Sequence, residues 1–283
     1  MRVAWLLLVG HAVALVFGLA GMLIALPHPE LWAGSRLGAQ TFAFGMQYAG
    51  PLHIILGAAA MAVFGWRVLG WRRTAVFLVA ACALSLSSEL IGTGTGWPFG
   101  NYAYTERLGT KVLGRVPFSI PLSWFYMGFA AYLLGTALAG ALQLRHRTAW
   151  SLGLGVFFLT VWDLALDPAM AAPTLPLQFW VWHESGGYFG MPIQNLVGWS
   201  ATGLVFMGVS RLLFRGDPIM PSSATSFPLG MYALNTLFAL VLSAAAGLWL
   251  PVALAIALGL VPAMLAWWWS APSRPRLVSQ PAA

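Results

Sequence analysis

Long apolar runs follow one another along this chain with only short polar breaks between them. About 20 apolar residues are what a helix needs to cross the hydrocarbon of a bilayer. A backbone in hydrocarbon must also satisfy its own hydrogen bonds, so such runs pack as helices. Only 7% of the 283 residues are charged and mean hydropathy is +0.80, whereas a soluble domain carries about 25% charged residues. The fold class is therefore all-α, a polytopic membrane helix bundle of about eight transmembrane helices.

The runs cover about 1–26, 41–66, 74–91, 117–142, 149–166, 191–214, 227–248 and 252–269. The weak break between the last two leaves seven spans open. The first run exceeds the roughly 7–15-residue apolar core of a secretory signal and lacks a clear cleavage site, so it reads as a span. Residues 1–270 then form one domain, and 271–283 a short disordered tail. With the N-terminus in the cytoplasm, Arg2, Arg67, Arg72, Arg73, Arg145, Arg147, Arg211, Arg215, Arg274 and Arg276 fall on the cytoplasmic side, together with the C-terminus. Arg36, Arg107, Lys111 and Arg115 fall on the other. That asymmetry is a topology signal, so the +7 net charge does not point to nucleic acid. Arg211, Arg215 and Asp217 mark the end of the sixth span. Cys82, the single cysteine, can form neither a disulfide within the chain nor a cysteine metal site, and reads as packing.

Chemistry concentrates in 89–104, ELIGTGTGWPFGNYAY. An acid, Glu89, sits at the end of the third run. Gly92, Gly94 and Gly96 break the helix, and Trp97, Phe99, Tyr102 and Tyr104 follow. This mixture reads as one wall of a site. Asp163 and Asp167, four apart, share a helix face about 6 Å along the axis. The topology brings Glu89, Asp163, Asp167 and Asn195 to one non-cytoplasmic rim beneath two long loops. No Arg or Lys lies in spans three or five. Low dielectric and like charge oppose full ionisation, so one acid is expected to keep its proton and serve as a general acid. The plainer alternative is helix capping or bonding across the bundle.

The second long loop, FWVWHESGGYFG, supplies Trp180, Trp182, His183, Glu184, Tyr188 and Phe189. Part of this set reads as an interfacial aromatic belt, and part as faces able to stabilise a cation. In span two, Gln47 and His53 lie close to two turns apart and are placed toward one cavity, with helix-to-helix bonding as the other reading. His11 reads as a hydrogen-bonded packing histidine. Lys111, the one lysine, sits in a loop, which excludes a retinal Schiff base. No HExxH, GxSxG or phosphate loop is present. The histidines lack metal-ligand spacing, so no metal site is expected. DLALD has the spacing of magnesium-diphosphate prenyltransferases, but a second Asp-rich motif is missing.

Taken together, ELIGTGTGWPFGNYAY, VPFSIPLSW, DLALDP and WHESGGYFGMPIQNLVGW, spread over about 89–199, resemble the carotenoid 1',2'-hydratases of the CruF type. These are carotenoid biosynthesis membrane proteins with haloarchaeal relatives that hydrate bisanhydrobacterioruberin. The resemblance implies a multi-pass protein of the cell membrane, a bacterial inner membrane. It also implies a carotenoid substrate drawn from the lipid bilayer, water as co-substrate, and other carotenoid biosynthesis enzymes as partners. The reaction implied adds water across the terminal isopropylidene double bond of an acyclic end group of the lycopene or γ-carotene type, with no cofactor. Asp163 is then expected to donate the proton, with Asp167 and Glu89 tuning it or holding water. Trp97, Tyr102, Tyr104 and Trp182 are expected along the cation's path. His183 and Asn195 are expected as water ligands, with Tyr188 in the same substrate-binding set. A lycopene-cyclase-like enzyme and a carotenoid carrier or transporter without catalysis are the rival readings.

Overall fold

The computed structural model describes residues 1–214 and 220–271. The sequence assignments at Arg215, Asp217, Arg274 and Arg276, and the tail from 272, lie outside the described residues. Among the described residues, eight helices are long and apolar enough to cross a membrane. They are α1 (Arg2–Ala20, prolonged by a π-helical turn, Gly21–Ala25), α2 (Arg36–Leu69), α3 (Trp71–Thr95), α4 (Ser119–Ala141), α5 (Arg147–Met170), α6 (Ile193–Leu213) and α7 (Ser226–Ala245). The eighth combines α8 (Trp249–Leu254), a π-helical segment (Ala255–Leu260) and α9 (Val261–Ser270). The seven-span alternative falls at 246–248. There Gly247 takes a φ of 77°, and the Leu248 N–H closes α7 by bonding to Ser243 O at 2.8 Å.

α4 is the axis of the bundle. Its apolar stretch is 83% buried, against 28–56% for the other spans. It packs against α2, α3, α5, α7 and α9, and Trp124, Phe125, Tyr126, Phe129 and Tyr132 fill the space between them. The approach of α5 to α4 is set by glycine. A Cβ at Gly135 would come 2.6 Å from the Gly155 nitrogen, and one at Gly155 would come 3.0 Å from the Tyr132 Cα. In lipid, helices gain nothing by hiding apolar surface from each other, so close backbone packing of this kind is what holds them together. It also sets the position of the two aspartates on α5 relative to Trp124 on α4.

The glycines of ELIGTGTG do not end the helix where the sequence suggests. α3 continues through Gly92 and Gly94 and stops at Gly96, whose φ of 78° is left-handed. The Thr93 and Thr95 hydroxyls bond back to Glu89 O and Ile91 O, both at 2.8 Å, so the helix accommodates them without opening. Gly92 is required by packing. A Cβ there would lie 2.7 Å from Phe99 Cδ2, and the same ring blocks a Cβ at Gly198 on α6. Phe99 is thus wedged between α3 and α6. α5 likewise runs past Asp167-Pro168 for most of a turn, to Met170.

The two long loops fold over one end of the bundle and carry short strands that hydropathy does not predict. These are β1 (Tyr102–Tyr104), β2 (Lys111–Val112), β3 (Val116–Pro117) and β4 (Trp180–Trp182). β1 pairs antiparallel with β4, with Tyr102 opposite Trp182 and Tyr104 opposite Trp180. Strand alternation turns these four rings to one face, and Ala103 and Val181 to the other. Further bonds tie the loops together. The Asn101 N–H donates to Glu184 Oε1 at 2.8 Å, and the His183 N–H to Asn101 O at 2.8 Å. Lys111 braces the first loop through Tyr104 O at 2.7 Å and Glu106 Oε1 at 2.5 Å.

If Gly135 sets the α4–α5 distance, Gly135→Val should destabilise the bundle by about 1–3 kcal/mol, as overpacking does in other cores. Gly153, on the exposed face of α5 with open space around it, is the control. Gly153→Ala should be neutral or slightly stabilising. Thermal unfolding of both variants in detergent reads the difference.

Candidate functional site

Under the loop cap lies a narrow cavity of about 60 Å³ whose polar wall includes Glu89, Asp167 and Asn195. Four helices and one strand supply its acids and the groups beside them. α3 brings Glu89, α4 Trp124, α5 the aspartates, α6 Asn195 and Trp199, and β1 the two tyrosines.

Glu89 is the best-satisfied group. Trp124 Nε1–H donates to Oε1 at 2.9 Å, Tyr104 O–H donates to Oε2 at 2.9 Å, and the Tyr102 hydroxyl donates to Oε2 as well. An indole N–H can only donate, so Oε1 acts as an acceptor. Burial, and then the charge of Glu89, pushes both phenols well above their ordinary range. Tyr102 and Tyr104 therefore remain donors at any physiological pH.

The aspartates are less well served. Asn195 donates from the same Nδ2 to Asp167 Oδ2 at 2.5 Å and to Asp163 Oδ2 at 3.1 Å. The two aspartates are in hydrogen-bonding reach of each other. A bond between two carboxyls exists only if one of them carries a proton. Asp163 Oδ1 is buried and receives no hydrogen bond, which leaves it free to carry that proton. Asp167 lies on the cavity wall, whereas Asp163 is fully buried behind it.

Tyr188 reaches the same pair from the second loop. Phe189 and Gly190 both have positive φ and form a two-residue turn, and Tyr188 and Met191 exchange backbone hydrogen bonds across it. Among the described residues the buried Tyr188 hydroxyl has no hydrogen-bond partner, and it lies within electrostatic reach of Asp163. Burial, followed by the Asp163 charge, pushes its phenol up to about 12.

The remaining wall is aromatic. Trp124 and Trp199 stack at 3.9 Å, and Trp162 meets Trp199 edge-on at 5.8 Å. Phe99, Trp180 and Trp182 close the cap side. At the opposite end of the cavity stand Tyr126, Asn235 and His53. Tyr126 O–H donates to Asn235 Oδ1 at 3.1 Å, and Asn235 Nδ2 bonds His11 Nε2 at 3.0 Å. His11 Nδ1 donates to His53 O at 2.7 Å, so His11 is a buried, bonded histidine. His53 Nδ1 donates to Ala49 O at 3.0 Å, which leaves its Nε2 as an acceptor.

Of the residues singled out from the sequence, Glu89, Asp163, Asp167, Asn195, Tyr102, Tyr104, Trp182 and Tyr188 come together at this rim. Trp97 does not. It is 67% exposed, because the chain turns outward at Gly96 before Phe99 turns back in. His183 is also exposed, and its backbone alone bonds to the first loop. Gln47 points away from the cavity that His53 reaches, because their six-residue spacing falls far from a whole number of helical turns. Trp124, Trp162, Trp199, Tyr126 and Asn235 were not anticipated. Asn235 carried a usable signal, since an amide inside an apolar run is costly unless it has a task. Among the described residues, no group of three or more His, Cys, Asp or Glu is arranged to hold a metal ion.

Among the described residues the Trp124 indole is the sole donor to Glu89 Oε1, so Trp124→Phe should keep the ring stack and cost about 1–3 kcal/mol for the stranded acceptor. Adding Glu89→Gln, which lightens the polar demand at that position, should recover part of the loss. Thermal unfolding of the single and double variants in detergent gives the coupling.

Residues 49–262 match the profile of a family described as carotenoid biosynthesis protein. The chain is also 32% identical over 222 residues to the bisanhydrobacterioruberin hydratase of Haloarcula japonica, covering 74% of this chain and 70% of that protein. No solved structure matches it.

Proposed function

Because this chain belongs to the carotenoid biosynthesis protein family, we propose that it hydrates the terminal isopropylidene double bond of an acyclic carotenoid end group, of the lycopene or γ-carotene type. The observation that carries this reading is a buried carboxyl pair opening, through Asp167, onto an aromatic-walled cavity that also holds polar groups at its far end.

An alkene with no neighbouring carbonyl must be protonated before water will add. The proton goes to carbon 2, the double-bond electrons form the new C–H bond, and carbon 1 is left as a tertiary cation. Asp167, on the cavity wall, is better placed to deliver this proton than Asp163, to which the sequence assigned it. Asp163 acts as the partner that shares the proton. The faces of Trp124, Trp199, Tyr102 and Tyr104 stabilise the cation through their quadrupoles, and Glu89 supplies a fixed charge of opposite sign. Water then bonds to carbon 1 and loses a proton. The Asp167 carboxylate left by the first step accepts it, since both oxygens of Glu89 are already occupied by donors. The pair is thereby recharged, and the net change is one alkene plus one water giving a tertiary alcohol.

Ring closure begins with the same protonation but has to keep water from the cation. Here Tyr126, Asn235 and His53 line the cavity with the acids, which favours hydration over a cyclase. The same reading places the protein in the cell membrane, with the N-terminus cytoplasmic and the acid rim on the opposite side, as the distribution of arginines suggests.

Expression in a lycopene-producing bacterial host should yield pigments heavier by one water, with the added oxygen drawn from labelled water. Asp167→Asn should lower product formation about 10²–10⁴-fold, the range of a lost general acid, while the protein still assembles in membranes. Unchanged turnover in that variant would remove Asp167 from the reaction, and a product of unchanged mass would turn the reading to cyclisation.

A further inference from the structure

A second, larger cavity adjoins the acid site. It is a groove of about 560 Å³ between α1 and the first half of α2, inside the range of roughly 300–1,000 Å³ usual for small-molecule sites. His53, Met170 and Phe238 line both this groove and the acid cavity, so the two spaces meet at those three side chains. The groove wall is hydrocarbon almost throughout, and Ser35, Thr41, His53 and Arg107 are its polar exceptions. Its outer margin consists of Phe17, Ile24, Leu31 and Leu37, all exposed on the bundle surface. In a bilayer such a margin faces acyl chains, and the groove opens sideways into lipid.

We propose that this groove binds the linear polyene of the substrate, which enters laterally from the bilayer and passes His53, Met170 and Phe238 to place its terminal double bond at Asp167. This rests on the reaction proposed above and adds the route and the subsite. A phospholipid is the competing occupant. Its headgroup would need several charged or polar partners, and the groove offers one arginine. Transfer from lipid to an apolar groove gains little from the hydrophobic effect, because acyl chains are as apolar as the wall. Retention must come from shape, and a rigid rod loses less conformational freedom on binding than a flexible acyl chain.

Gly18 provides the test. It lines the groove, and a Cβ there meets nothing within 4 Å, so the side chain of Gly18→Phe starts into open space at the groove. Val9→Phe, on an exposed position of α1 that does not line the groove, is the control. Each protein is purified in detergent from a lycopene-producing host, scored for bound pigment by absorbance, and assayed with two substrates. One is lycopene. The other is a monoterpene alcohol bearing the same isopropylidene end, short enough to reach the acid cavity alone. Gly18→Phe should lose bound pigment and lycopene hydration by at least about tenfold, equivalent to 1.4 kcal/mol, yet hydrate the short alcohol like the parent and Val9→Phe. Retention of pigment and of lycopene hydration in Gly18→Phe would overturn the proposal. So would native mass spectrometry showing a phospholipid, and no pigment, displaced by the substitution. If no protein hydrates either substrate but pigment is still lost in Gly18→Phe, the groove stands and the proposed reaction fails.

Discussion

A carboxylate buried at the end of a membrane helix costs several kcal/mol unless it is bonded, and Glu89 meets that demand with three donors from two other elements. Trp124 comes from α4, and Tyr102 and Tyr104 from β1. The demand therefore has long-range consequences. It pins the first loop over the bundle end, and the loop in turn fixes β4 by pairing. It also holds the Trp124 ring where it stacks on Trp199. Without the acid, two phenols and an indole N–H would be buried facing hydrocarbon.

The three acids divide into a satisfied one and an under-supplied pair, and the division suits two roles. Glu89 has a donor on each oxygen, which makes it a poor base. Asp163 and Asp167 share the Asn195 amide donor, and the Trp199 indole is within reach of Asp167 alone, so Asp163 is the poorer served of the two. A shortage of donors is met most cheaply by a proton, and a proton held between two carboxyls close to an apolar wall is available for transfer. A site meant only to cap helices has no reason to leave Asp163 Oδ1 without a donor.

Much of this was legible in the sequence because it follows from spacing and hydropathy. The number of spans, the convergence of the third, fifth and sixth at one rim, and the DxxxD face come from helical periodicity and alternation across the membrane. What could not be read was set by contacts between distant segments. YAY and WVW each alternate over three residues, too short to announce strands, and their pairing spans 80 residues. The glycines at 92 and 94 looked like helix breakers, yet Gly92 is there to admit the Phe99 ring, a partner that only the folded chain reveals. A spacing near two turns suggests one face for Gln47 and His53, but six residues leave them about 120° apart around the helix, and His53 alone faces inward. Trp97 and His183 belonged to motifs whose other members line the cavity, but a motif fixes neighbours in sequence and not the direction of each side chain.

On the proposed reaction, a site at the rim suits two supply routes. A polyene would come through lipid and water and protons from the aqueous side, and neither crosses the other's medium easily. At mid-bilayer the water would be costly to bring in. At the surface the cation would meet bulk solvent and the polyene would have to leave the membrane. The rim beneath a folded cap satisfies both limits. The groove between α1 and α2 meets the cavity on the lipid side at His53, Met170 and Phe238, and Tyr188, half-buried in the second loop, stands above Asp163 on the other side. The irregular backbone that an active site needs is tolerated there because the loops lie outside the hydrocarbon or pair with each other. The same physical reason puts the acids at helix ends and the aromatic strands directly over them.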